Sequence, residues 1–207
     1  MTLERLEVLS EDQIVLHFLE GGTLCCGPGE ILDFSLRPGQ SLEGEDWEKL
    51  QDACAFRAVR RQAAELLSRR AMSAGELRRK LREKGADPLH AEKAAERLTE
   101  LGAIDEGAYA AMVVRHYAAK GYGRKRLEEE LYRRELPRET WEEALAALPD
   151  SREVLDALVQ KRLRSAPMDR KGLKKLADSL LRRGYGWEEV RAAIARNTAQ
   201  EDNDFDD

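Results

Sequence analysis

The chain repeats itself with a period close to 50 residues, and this constrains its fold more than any other feature. Leu77, Leu81 and Gly85 return as Leu127, Leu131 and Glu135, and again as Leu176, Leu180 and Gly184, at offsets of 50 and 49. Ala91 and Ala95 return as Trp141 and Leu145, then as Val190 and Ile194. A spacing of four puts each pair on one helical face. Helix starts recur as well. Ser73 and Glu76 make a capping box, Gly123 and Gly172 hold the matching N-cap positions, and Asp87-Pro88 supplies a cap and a first helical residue. The spacing predicts helices at about 57–71, 74–84 and 88–101, then 106–119, 124–134 and 138–147, then 151–164, 173–183 and 187–196. Each unit is too small to bury much alone, so neighbours stack. The expected fold is mostly α: three tandem three-helix repeats in an elongated curved array, with a small β-containing N-terminal unit.

That N-terminal unit has another rhythm. Leu3, Leu6, Val8, Ile14, Leu16 and Phe18 alternate roughly with period two, as strands do. Gly21-Gly22 marks a turn, Thr23-Leu24-Cys25 another strand, and Ile31 to Leu36 a helical turn. So few strands need a covered face, so the unit docks on the helices or on another molecule. The expected divisions are a β-rich unit at 1–50, repeats at 51–104, 105–149 and 150–198, and a disordered acidic tail at 199–207.

Charge is unevenly spread. Residues 1–56 hold twelve acids and three bases, residues 57–200 hold 23 acids and 32 bases, and residues 201–207 hold five acids and no base. A basic middle between acidic ends points to an acidic partner, nucleic acid or protein. No run of 18 apolar residues occurs, so no membrane span is expected. Met1 to Arg5 lacks the pattern of a secretion signal. Cys25, Cys26 and Cys54 are odd in number and two are adjacent, which argues against a disulfide framework and for a cytoplasmic protein. No long apolar heptad seam appears, so a monomer is expected.

Catalytic chemistry finds no constellation. His90 and His116 have no Ser or Cys in an elbow motif, and no phosphate loop, zinc-protease or calcium-loop motif is present. His17 has no second ligand at metal spacing and reads as a structural or surface histidine, and Cys25-Cys26 lacks the chelating gap, so packing accounts for the pair. Neither a catalytic residue, a metal site nor a cofactor is expected. Gly121-Tyr122-Gly123 reads as a helix stop and restart. The bases cluster: Arg124, Lys125 and Arg126 open one helix, and Lys161, Arg162, Arg170, Lys171, Lys174 and Lys175 crowd the third repeat. Cations at a helix N-terminus oppose the dipole, which suggests an anionic ligand at Arg124-Lys125-Arg126. These nine residues are the candidate contacts to a partner or DNA. Among nearby aromatics, Tyr117, Tyr122, Tyr132 and Tyr185, helix-end packing is favoured over base stacking.

The stretch Ala64 to Gly85, the run Leu98 to Tyr109, and Tyr117-Ala-Ala-Lys-Gly-Tyr-Gly-Arg-Lys-Arg-Leu-Glu-Glu-Glu-Leu131 resemble the bacterial RecX regulatory proteins. The resemblance is specific over about 57–148, looser over 151–196, where Leu180 to Tyr185 matches best, and weak over 1–50. This chain departs at Ala103-Ile104, where an aromatic and Leu are common, and at Glu135-Leu136, where Lys-Gly-Ile-like residues are common. The resemblance implies a regulator of the RecA filament that mainly inhibits its recombinase, ATPase and co-protease activities in DNA repair and the SOS response. The filament is the expected partner, with single- or double-stranded DNA as a further contact. Rival readings are a sequence-independent DNA-binding protein acting without RecA and a helical protein–protein adaptor.

Overall fold

The structure, a computed structural model, describes residues 1–148, 151–165 and 169–203. It divides into two compact units: Met1–Ala71 with Leu77–Ala103, and Met72–Glu76 with Ile104–Asp207.

The first unit opens with strands β1 (Leu3–Ser10), β2 (Gln13–Phe18) and β3 (Thr23–Cys26) in one antiparallel sheet, ordered β1-β2-β3. Leu6 pairs with Leu16, and Leu16 with Leu24. Gly21 and Gly22 turn the chain between β2 and β3 at φ +88° and +94°, a region glycine enters without steric cost. A short helix α1 (Pro28–Asp33) follows, then the long α2 (Gly44–Arg69). Alternation along the strands turns Leu3, Leu16, Phe18 and Cys26 onto one face, where Leu36, Leu42, Leu50 and Cys54 complete a core. Phe18 and Trp47 meet edge to face with centroids 5.0 Å apart. The sheet therefore docks on the chain's own α2, through Arg57 as well, which donates to the Asp12 carbonyl and lies 3.8 Å from Glu30. The chain is helical from close to Trp47, as its sequence suggests, and α2 carries the repeat's first helix, expected over 57–71, back to Gly44, with Leu50 and Cys54 buried under the sheet.

Helices α3 (Ala74–Glu83) and α4 (Pro88–Glu100) continue the first repeat. Asp87 caps α4 as expected, accepting from the Leu89 and His90 amides. His90 is buried with Nε2 2.8 Å from Asp52 Oδ1, a packing role. All three thiols are unpaired. Burial pushes the Cys26 thiol up to about 11 and the Cys54 thiol up to about 12, so neither is a reactive thiolate near neutral pH.

The second unit holds α5 (Glu106–Ala118), α6 (Arg124–Arg133), α7 (Trp141–Ala146, entered through a 3₁₀ turn at Arg138–Thr140), α8 (Ser151–Leu163), α9 (Arg170–Arg182) and α10 (Trp187–Asn203). The repeat positions are its core: Leu127, Leu131, Trp141 and Leu145 in one cluster, Leu176, Leu180 and Val190 in another, with Ile194 packed against the latter. Two expectations change. Helix α9 starts at Arg170 and is capped by Asp169, which accepts from the Gly172 amide at 2.7 Å, so Gly172 is not the cap. Helix α10 runs to Asn203, through the start of the segment expected to be a disordered tail. The end of that tail, 204–207, and the Pro149-Asp150 break lie outside the described residues.

Candidate functional site

The candidate site begins at a corner where two helices of the second unit meet end to end. Gly184 takes φ +93° at the end of α9, a left-handed stop that glycine tolerates. The Gly123 amide, at the start of α6, donates to the Arg183 carbonyl at 2.8 Å, and the Lys125 amide to the Gly184 carbonyl at 3.1 Å. Arg183 Nη1 returns hydrogen bonds to the carbonyls of Lys120 and Gly121, and the buried Tyr185 hydroxyl donates to Gly121. The approach is close: a Cβ on Gly123 would stand 2.6 Å from the Gly184 carbonyl carbon, and one on Gly184 would stand 2.4 Å from the Arg126 amide nitrogen.

This geometry changes the meaning of Arg124-Lys125-Arg126. The positive end of the α6 dipole faces the carbonyl end of α9, so α9 supplies a negative partner from within the fold. An external anion is not needed to explain cations there. Arg124 pairs with Glu128 at 2.9 Å, and Arg126 with Glu129 at 2.7 Å and Glu130 at 3.2 Å. Lys125 is exposed.

Glu130 is the other charged feature. Only 2% of its side chain is exposed, and it meets Arg126, Arg133 and Arg134, the last at 2.5 Å. Burial pushes its carboxyl up, but hydrogen bonds from Arg134 and Tyr117 and the nearby arginine charges outweigh that and hold it below its ordinary value.

Beside the corner lies a cavity of about 720 Å³ with a mostly apolar wall that includes Val114, Leu127, Ala144 and Leu158. Its rim carries Arg115, Lys120, Arg124 and Lys161. An adjoining depression of about 590 Å³ shares Leu158 and Lys161 and adds Arg162, Lys175 and Arg183. Among the described residues, neither is lined by Asp or Glu. The structure thus brings together four of the nine candidates: Arg124, Lys161, Arg162 and Lys175. Lys125, Arg126, Arg170, Lys171 and Lys174 do not line this cleft, and the last three are exposed on the first turns of α9. Arg115 and Lys120 belong to the cleft and were missed, because neither sits in a basic run. The aromatics pack: Tyr185 is 2% exposed, and the half-buried Tyr122 has the guanidinium groups of Arg126 and Arg183 at 6.0 and 5.9 Å from its ring centre; both tyrosines line the cavity. Tyr132 alone of the four is largely exposed. Among the described residues, no three His, Cys, Asp or Glu side chains gather as a metal site, and no helix is long and apolar enough to cross a membrane.

Comparison with known proteins gives one answer. The chain matches the models for the first, second and third three-helix domains of RecX over residues 60–98, 105–145 and 150–194. It is 40% identical to a regulatory protein RecX from Pseudomonas savastanoi pv. phaseolicola over 62% of this chain and 84% of the relative. A crystal structure of a regulatory protein RecX superposes with a TM-score of 0.75, covering 94% of this chain and 98% of that one at 18% identity. The crystal structure of RecX from Lactobacillus salivarius gives 0.62, covering 70% of this chain and 97% of that one at 21% identity. At these identities the two structures bear on the fold alone.

Proposed function

Because this chain belongs to the RecX family of regulatory proteins, we propose that it binds the filament RecA forms on single-stranded DNA and mainly inhibits the filament's ATPase, recombinase and co-protease activities, in DNA repair and the SOS response. It acts without catalysis of its own, as a monomer in the cytoplasm. The observation that carries this reading is the cationic cleft. Among the described residues, Arg115, Lys161, Arg162 and Lys175 have no carboxylate partner and no acid lines the walls. A nucleoprotein filament offers phosphates and acidic side chains, the two groups such a surface attracts. A second reading, direct covering of DNA, rests on the same cations. It requires affinity to fall steeply with salt, log K dropping by about 0.9 per phosphate contact.

The test is RecA-catalysed ATP hydrolysis on single-stranded DNA, with this protein titrated in and the titration repeated with extra free DNA. The filament reading expects inhibition at less than one copy per RecA, unmoved by the extra DNA. Relief by extra DNA would favour simple competition for the strand. No effect at any ratio would leave the adaptor reading in its place.

A further inference from the structure

We propose that the cavity of the second unit is a docking site for an acidic, amphipathic peptide segment of a protein partner, with apolar side chains entering the cavity and carboxylates pairing with its rim. The partner's identity rests on the filament reading above; the chemistry of the site does not.

Three observations carry the assignment. The first is the wall. Val114, Leu127, Ala144 and Leu158 present carbon to a space of about 720 Å³, a volume suited to several side chains. The space stays open because α5, α7 and α8 face it partly with alanines, among them Ala111, Ala118 and Ala157. A phosphodiester could meet the cations of the rim but would gain nothing from this carbon wall, whereas a Leu or Phe would leave water for a matching surface.

The second is the rim. Arg115, Lys120, Arg124 and Lys161 ring the opening, and no Asp or Glu stands among the described lining residues. Arg124 is drawn to Glu128 and Lys120 lies over the Tyr117 ring at 5.3 Å, while Arg115 and Lys161 have no carboxylate partner among the described residues. Charge complementarity therefore selects an acidic occupant.

The third is the aromatics. A nucleobase would need an open ring to stack on, but of the two tyrosines lining the cavity Tyr185 is buried, and Tyr122 is half-buried with the Arg126 and Arg183 guanidinium groups near its ring. The hydrogen bonds of Gly123 and Lys125 to the Arg183–Gly184 corner hold the cleft in shape before a ligand arrives, which lowers the ordering cost of binding. Apolar wall, cationic rim and the lack of a fully exposed aromatic ring among the described lining residues together favour a peptide over a nucleic acid.

The experiment uses the full chain and a fluorescein-labelled peptide rich in Asp and Glu, with two leucines one helical turn apart. A control peptide carries serines at the leucine positions, and oligo-dT serves as competitor. Fluorescence anisotropy should show the leucine peptide binding at least about tenfold tighter than the serine peptide, from burial of two apolar side chains. Ala157→Trp fills the cavity from an exposed position of α8; it should remove that advantage and leave serine-peptide binding unchanged. Lys161→Glu should weaken both peptides. Equal binding of the two peptides, indifference to Ala157→Trp, or displacement by oligo-dT as readily as by unlabelled peptide would each overturn the proposal. Because RecA is absent, the two readings fail separately: peptide binding by a protein that leaves RecA hydrolysis untouched would uphold the cleft and refute the filament reading.

Discussion

Two helix N-termini of the second unit solve one problem in different ways. Both sit on the corner that ends a helix in the following repeat. At α3, Ser73 does the work with its side chain: its hydroxyl accepts from the Glu76 amide at 3.0 Å and donates to the Arg134 carbonyl. At α6 there is no side-chain cap, and the backbone amides of Gly123 and Lys125 donate directly to the Arg183 and Gly184 carbonyls. The glycines of the two junctions lie equally close to their neighbours, since a Cβ on Gly75 would stand 2.6 Å from Glu135 Cβ. The first start carries an acid, Glu76, and the second carries Arg124, Lys125 and Arg126. A side-chain cap obeys the dipole; a helix end facing another helix's carbonyls is released from it.

The largest effect that would break this comparison is expected at Gly184. Gly184→Ala forces a Cβ into the Arg126 backbone at φ +93° and should cost about 3 kcal/mol in denaturant unfolding. Gly85→Ala, at φ +89° but with open space around it, should cost only about 1 kcal/mol. Equal losses would mean the α6–α9 junction contributes nothing beyond its turn. Next comes Glu130→Ala, which leaves three arginines without their buried carboxylate. The expected loss is about 2–3 kcal/mol, below that of a fully buried pair because Arg126, Arg133 and Arg134 reach solvent.

Glu130 also predicts an acid dependence. Its carboxyl is held below the ordinary 4.5, so its contribution is complete above that value and lost as pH falls through the lower folded value. Glu130→Gln should flatten the loss of stability below pH about 4.5; an unchanged acid profile would remove Glu130 from the account. Ser73→Ala should cost about 1–2 kcal/mol, the measure of the side-chain solution against the backbone one. Arg124→Ala should stay within about 0.5 kcal/mol, since its pair with Glu128 is exposed. A larger loss would show that Arg124 does hold up the α6 start.

Those two starts also mark how far sequence reading reaches. Ser73 and Asp87 were legible because a cap written in a side chain leaves a local pattern. The repeat was legible too, for Leu77, Leu127 and Leu176 carry its cores. The partner of Gly123 was not, because it lies about 60 residues away, so the carbonyls of α9 that offset the α6 dipole beside those cations were out of view. Glu135 is a related case: it stands where the repeat has Gly85 and Gly184 and takes φ +52° without being glycine. Helix from near Trp47 was legible; that α2 runs unbroken from Gly44 to Arg69 with Leu50 and Cys54 under the sheet is a tertiary effect. The cleft stayed hidden for a similar reason. Its rim draws on α5, α6 and α8, and its opening depends on alanines that look like ordinary helix formers.

We propose that this chain regulates a RecA filament through the cationic cleft of its second unit. The most direct measurement replaces Arg124, Lys161, Arg162 and Lys175 together with Ala and titrates that variant against RecA-catalysed ATP hydrolysis on single-stranded DNA, beside the unaltered protein. Matched circular dichroism spectra and melting curves confirm that both are folded. The account predicts strong inhibition by the unaltered chain and at least about a tenfold higher concentration for half-inhibition by the variant, the equivalent of about 1.4 kcal/mol of lost contact. Unchanged inhibition by a folded variant would contradict it.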